Sequence, residues 1–304
     1  IGNQPRCPSV LLPNMSHSVS PRCAFLVCAL LFVNSLWCSG GKASEVITLN
    51  PDLDTCIREY NPVGAYGDSS VIIAGTTGPN SGNGRNRGLI HFPLSAIPPE
   101  AVVTGAALSL SVVRVPPIQA DANFELRRVI VPWSESATWG TPGASWHAPG
   151  GMNGLDFLEE NSASQLVPNS LDTYTFGPSD GLRKDVQFWL ATPASNFGWI
   201  IYPSQEDIDF TARQFASKES ASPPVLQVTF VVPPKITKLE VESSQVIVHF
   251  QSRAGYAYRV EYREQLGPGE WTSFASFPSQ ASNGELTALD DAPRGTRFYR
   301  VVIP

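Results

Sequence analysis

The chain is 304 residues long, a length that corresponds to about two domains. Its 16% of charged residues, against roughly 25% in an average soluble domain, argue against a long charged helix or coiled coil. The formal charge is −6 and no Lys/Arg cluster appears, which removes nucleic acid as a partner; 24 Gly and 27 Pro predict an all-β chain of short strands joined by turns.

Residues 24–38, AFLVCALLFVNSLWC, form a fifteen-residue apolar run preceded by Arg22, with no Asp or Glu before Glu45. That is the profile of an export signal, and Gly41-Lys42-Ala43 supplies small residues for a cut after Ala43. Residues 1–14 contain no Met and read as upstream translation, so that 15–43 is the predicted signal peptide, starting at Met15. An uncleaved anchor is the alternative, but the run is short for a bilayer. Bulky Trp37 ahead of Cys38 speaks against a lipoprotein. Removal of 1–43 takes away Arg6, Arg22, Lys42 and every cysteine but Cys56, leaving a charge of −9 and neither an intramolecular disulfide nor a cysteine-based zinc site. The predicted product is secreted, extracellular or at the cell surface, with no membrane association once the signal is gone.

The first predicted domain spans 44–231. Leu108, Leu110 and Val112 alternate with Ala107, Ser109 and Ser111; Phe124, Leu126 and Arg128 alternate with Glu125, Arg127 and Val129; Leu226, Val228, Phe230 and Val232 alternate with Gln227, Thr229 and Val231. Period two marks half-buried strands. Only Gly181–Ala191 has helical spacing, through Leu182, Val186 and Trp189 or Leu190. Many short strands with one small helix predict a jelly-roll β-sandwich. Val231-Val232-Pro233-Pro234-Lys235 marks a boundary, with a linker at 232–235. The second domain, 236–304, carries short strand patterns such as Val246/Val248/Phe250 and Tyr258/Val260/Tyr262, and fits a smaller immunoglobulin/fibronectin III-like sandwich without a disulfide. The first domain holds 19 acidic against 10 basic residues and the second 8 against 7, so the negative charge belongs to the first.

Gly177-Pro178-Ser179-Asp180-Gly181 matches the G-x-S-x-G nucleophile pattern between a strand and the helix. A base for Ser179 is lacking: of His91, His147 and His249 only the last lies downstream, in the other domain and on the face opposite Val246 and Val248. The stretch reads as a strand-to-helix turn. His91, between Ile90 and Phe92, falls on the less buried face of a strand. Asp52/Asp54, Glu159/Glu160 and Glu206/Asp207/Asp209 are acidic pairs with three readings: solvated loop charge, the acid and base of a glycosidase or lyase, or calcium ligands. For calcium the candidates are Asp52, Asp54, Asp68, Asp207 and Asp209, in a structural role.

Residues 48–73, TLNPDLDTCIREYNPVGAYGDSSVII, then 87–98, RGLIHFPLSAIP, resemble the DNRLRE domain, also described as carbohydrate-binding module family 96. The likeness continues through Ala106–Leu110, Trp133-Ser134-Glu135, Thr138-Trp139, Ser195–Trp199, Phe215-Ala216-Ser217-Lys218-Glu219 and Pro224-Val225-Leu226. It implies an extracellular jelly roll that binds polysaccharide without catalysis, acidic glycans in some members, sometimes with calcium. Cys56 stands where an aromatic is usual, and Pro93 where Asp is common. The second domain resembles, more loosely, small sandwich modules of secreted bacterial proteins, which implies architecture only.

Sugars stack their C–H faces on aromatic rings and offer hydroxyls to planar or charged partners. Trp133 and Trp139 belong to the signature and read as core plugs, whereas Trp146 and His147 sit in a Gly/Pro-rich loop that can present them. For an acidic glycan, Arg58, Arg85 and Arg87 are the candidate carboxylate partners, with surface solvation or pairing to Glu59 or Asp68 as the alternative. The expectation is a secreted, non-catalytic polysaccharide-binding protein. A structural or adhesive surface protein is the second reading, and a polysaccharide lyase or hydrolase the third.

Overall fold

The computed structural model describes residues 44–304 apart from 118, 119, 243, 244, 292 and 294. The segments 1–14 and 15–43, on which the export prediction falls, lie outside the described residues.

The larger part is built from β1 (Glu45–Leu49), β2 (Leu53–Arg58), β3 (Val71–Thr76), β4 (Arg85–His91), β5 (Val102–Arg114) and β6 (Ala122–Arg128). There follow β7 (Ala163–Val167), β8 (Thr173–Phe176), the helix α1 (Asp180–Ala191), β9 (Trp199–Pro203), β10 (Arg213–Ala216) and β11 (Val225–Val231). These strands join in one antiparallel sheet of order β1-β11-β5-β10-β3-β4-β9-β6-β7, with β2 on β4 and β8 on β5. The sheet curls into a jelly-roll sandwich. Thirteen-residue β5 is long enough to pair with β11 and β8 along its body and with β10 near its end, where the register shifts between Gln214 and Phe215. Such a bulge bends a strand and lets a sheet turn a corner.

The alternation read from the sequence sorts the faces as expected. Leu108, Leu110, Val112, Phe124, Leu126, Leu226, Val228 and Phe230 are buried in one core with Trp189 and Trp199. The helix lays Leu182, Val186, Trp189 and Leu190 into the same core, packed against β5. Ser179 is its N-cap: Oγ accepts the Leu182 N–H and donates to the Ser162 carbonyl. The G-x-S-x-G stretch is thus a helix start. Asp185, buried on α1, accepts from Ser162 Oγ (2.5 Å) and Trp199 Nε1 (2.8 Å), and burial raises its carboxyl above the usual range.

The sequence did not announce a second apolar cluster on the outer face of β2, β4, β9 and β6. Ile57, Leu89, Ile200 and Tyr202 are covered there by Val129, Trp139 and Phe157 from the long connection between β6 and β7, with Trp133 and Trp146 packed alongside. Arg87 fastens this cover. It projects from β4, pairs with Glu206 through Nε (2.7 Å) and Nη2 (2.5 Å), and donates Nη1 to the Gly150 and Gly151 carbonyls at 2.9 and 3.0 Å. Both glycines have positive φ, and a Cβ would stand 2.6 Å from the Trp139 ring at 150 and 2.4 Å from the Trp146 ring at 151.

The smaller part consists of β12 (Ile236–Glu242), β13 (Gln245–Ser252), β14 (Tyr258–Arg263), β15 (Thr272–Phe277), β16 (Gly284–Asp290) and β17 (Phe298–Val302). They form two three-stranded sheets, β12-β13-β16 and β15-β14-β17, around Val248, Phe250, Tyr258 and Val260. This is the smaller sandwich expected. Arg253 and Tyr256 both donate to Glu45 of β1, at 2.8 and 3.0 Å, tying it to the larger part.

Replacing Arg87 by Ala strands the Glu206 carboxylate and releases two loop carbonyls; unfolding by denaturant should show a loss of about 3 kcal/mol. Near-UV circular dichroism should lose tryptophan signal from the cover before the main sandwich unfolds.

Candidate functional site

Strand β2 has a ladder partner on one side only, β4. Beside it lies an open groove of about 510 Å³, lined by Ala65, Tyr66, Gly67, Asp68, Ser69, Glu135 and Ser136. The turn 65–69 reaches it because Gly67 has no side chain: a Cβ there would lie 2.4 Å from Glu135 Cβ and 2.6 Å from its carbonyl oxygen. Tyr66 is held from two directions. The Arg58 guanidinium lies 3.6 Å from the ring centroid, and the phenol oxygen accepts the Asn61 Nδ2–H at 2.7 Å.

A polar network fixes the groove wall. Asp54, 1% exposed, points from β2 and accepts the Lys218 N–H at 2.7 Å through Oδ2. Its own N–H donates to Glu135 Oε1 at 3.4 Å. The Lys218 ammonium pairs with Glu135 (2.9 Å) and with Glu219. Those two carboxylates keep it protonated well above its ordinary range. Burial pushes the Asp54 carboxyl up to about 7, against the lowering effect of the Lys218 N–H, and its Oδ1 is buried without a partner. A half-protonated carboxyl at neutral pH suits a general acid, yet here one oxygen is taken by backbone and the other is sealed from the groove.

Of the predicted binding residues, Arg85 and Arg87 come together over the Trp139 ring, their guanidinium carbons 5.2 and 5.6 Å from its centroid, in the cover that also holds Trp146. Arg58 stands at the groove, stacked on Tyr66. Arg85 is held by Glu59 through Nε (2.9 Å) and Nη2 (2.6 Å), and Arg87 belongs to the cover, so neither offers a free fork to a carboxylate. Trp146 is half-buried in the cover, its Nε1–H on the Pro132 carbonyl at 3.0 Å. His147 is exposed, with Nδ1 2.7 Å from Asp156 Oδ1. Fully buried Asp156 also accepts the His147 and Met152 backbone N–H groups, and so organises the loop.

The five aspartates proposed for calcium have different surroundings. Asp52 pairs with His91 at 2.5 Å, Asp54 belongs to the network above, Asp68 lines the groove, and Asp207 and Asp209 lie in the connection after β9. Among the described residues no three His, Cys, Asp or Glu side chains gather to hold a metal ion. Where Asp54 lies near Glu135 and Glu219, the Lys218 ammonium supplies the positive charge. The five aspartates thus do not form one ligand set among the described residues. Tyr66, Glu135, Ser136 and Lys218 went unnamed as site residues in the sequence, although three of them fall inside blocks that carry the DNRLRE resemblance.

No family model and no curated protein matches the chain.

Two outcomes are expected. Between the ordinary carboxylate pKa and about 7 the folded protein holds a proton on Asp54 that the unfolded chain releases, so this group's contribution to stability falls as pH rises through that window. Asp54→Asn should flatten the decline between about pH 5 and pH 8 by about 2 kcal/mol in paired urea titrations; an unaltered slope would show that the carboxyl does not titrate there. Chelation with EDTA should leave the thermal midpoint unmoved, as a calorimetric scan can show.

Proposed function

We propose that this chain is a secreted, non-catalytic polysaccharide-binding protein and that the Tyr66 groove takes the sugar. The observation that carries the reading is the composition of the groove: an aromatic ring, two serine hydroxyls and two carboxylates along an open cleft about the size of a small-ligand site. A ring supplies apolar contact to C–H faces, while carboxylates and hydroxyls accept and donate hydrogen bonds to sugar hydroxyls. Blocks that resemble the DNRLRE domain contribute Tyr66, Asp68 and Glu135, which supports the same reading.

Asp68 and Glu135 set the kind of sugar. Glu135 shares the single Lys218 ammonium with Glu219, so that together with Asp68 the wall stays net negative and repels a uronate or sulfate; the ligand proposed here is a neutral, hydroxyl-rich glycan. The acidic ligand suggested by Arg58, Arg85 and Arg87 needs free guanidinium groups, and two of those three already hold carboxylates. The sealing of Asp54 and the helix-cap role of Ser179 support binding without turnover. Export rests on the apolar run 24–38 and its small-residue cleavage site.

A glycan array with the purified chain should show retention on neutral polysaccharides. Tyr66→Ala should weaken it about threefold to tenfold when measured well below the melting temperature of the variant, which loses the packing of Tyr66 on Arg58 and on the main core. Absence of binding across the array would sink the proposal, and release of reducing sugar from any polymer would refute its non-catalytic part.

A further inference from the structure

Beyond Tyr66 a second ring adjoins the groove. Arg58 stacks on Tyr66, and the same guanidinium donates to the Tyr60 hydroxyl, so one side chain joins two tyrosines. Tyr60 lies just past the end of β2 and is 51% exposed. Pro62 and Val63, close behind it in the chain, are exposed as well.

Two turns hold this shelf in place. In the first, the Asn61 N–H donates to the Arg58 carbonyl at 3.2 Å and the Gly64 N–H to the Asn61 carbonyl at 3.1 Å, while the Pro62 carbonyl accepts the Gly140 N–H at 2.8 Å. The second, between β3 and β4, is closed by the Ser81 and Asn83 N–H groups on the Gly78 carbonyl at 2.9 and 3.2 Å. Thr77 Oγ1 fastens it further by donating to the Ser81 carbonyl at 3.0 Å. The turns meet at two glycines: a Cβ would stand 3.5 Å from Tyr60 Cβ at Gly82 and 3.1 Å from it at Gly84. The turn that carries exposed Asn80, Ser81 and Asn83 therefore lies against Tyr60. None of these side chains is charged, and the neighbours Glu59 and Arg85 neutralise each other.

We propose that Tyr60 and this turn form a second sugar subsite, continuous with the Tyr66 groove through Arg58, so that the site takes an internal stretch of a neutral glycan at least two rings long. The inference rests on the reading of the groove as a glycan site and adds the length of its ligand. Single exposed apolar side chains are ordinary, but this one is seated on two glycines and bridged to another ring. Each sugar of a chain offers a C–H face to a phenol ring and hydroxyls to amides, the two chemistries that the shelf presents side by side. Arg58, whose Nε–H donates to the Cys56 sulfur at 3.3 Å, keeps further N–H groups at the junction for the hydroxyls between the rings. A tyrosine fixed before the ligand arrives loses little rotamer freedom on binding, which favours affinity.

Titration calorimetry of the full chain with cello-, manno- and malto-oligosaccharides of one to six rings tests this. For the series that binds, the dissociation constant should fall about threefold to tenfold between disaccharide and tetrasaccharide. Tyr60→Ala should remove that gain and Tyr60→Trp should keep it, whereas Tyr66→Ala should weaken every length. Asn80→Ala takes one exposed amide from the turn and should lessen the gain, which keeps the test open if Tyr60→Ala fails to fold. Wild-type affinity independent of length, or a gain that survives in both Tyr60→Ala and Asn80→Ala, would overturn the second subsite and leave the groove reading standing. Binding of no series at any length would instead remove the groove itself, and this inference with it.

Discussion

The groove wall depends on one buried residue, Asp54, that holds together three stretches of chain remote in sequence. Asp54 lies 164 residues from Lys218, whose N–H it accepts, and 81 from Glu135, to which its own N–H donates. An edge strand is otherwise a row of unpaired backbone groups open to other chains. Here the edge of β2 is occupied by Glu135 and by the turn that carries Lys218, and the same turns become the wall against which Tyr66 and Gly67 pack. The elevated Asp54 carboxyl is the cost of that arrangement: an oxygen without a partner, tolerated because the network around it is otherwise closed.

Similar polar nodes recur wherever a long connection must be pinned. Arg87 ties the cover to β4, Asp156 gathers the backbone around His147 and Met152, and fully buried Arg213 donates to the carbonyls of Ala120, Val167, Pro168 and Thr211. Each sits where apolar packing alone leaves backbone oxygens or amides without partners. Cys56 is a buried free thiol, so among the described residues these nodes do the work of cross-links.

Sequence patterning revealed those parts of the fold in which one face is buried and the other wet. Strands β5, β11 and β13 and helix α1 fall in that class, and their buried positions were legible residue by residue. The outer cluster was not, because its cover follows no period; it is held by individual rings and by glycines that admit them. A trace was nonetheless present: Cys56-Ile57, Leu89-Ile90 and Ile200-Ile201 are apolar at consecutive positions, the mark of strands buried on both faces. For the site, sequence located charge without showing its pairing. Arg85 and Arg87 looked equivalent to Arg58, and only the fold shows that Glu59 and Glu206 stand against two of them.

The same distinction between charge count and charge pairing orders the two sandwiches. By composition the larger is strongly acidic and the smaller nearly neutral, which suggests that any cationic surface belongs to neither. Pairing decides which of those charges a ligand meets. Asp290 is taken by Arg297 and by the Tyr299 hydroxyl, which burial and that carboxylate raise well above its ordinary range; Glu261 is shared by two arginines; Glu240 holds Lys238 and His249. What stays exposed around Trp271 is mixed, Arg263 with Glu264 and Glu270, whereas in the larger sandwich Arg85, Arg87 and Lys218 are consumed and Asp68 remains in the groove. The smaller module thus stays balanced on that face and the groove of the larger one keeps an anion, because the field a ligand meets is set by the charges that folding leaves unpaired.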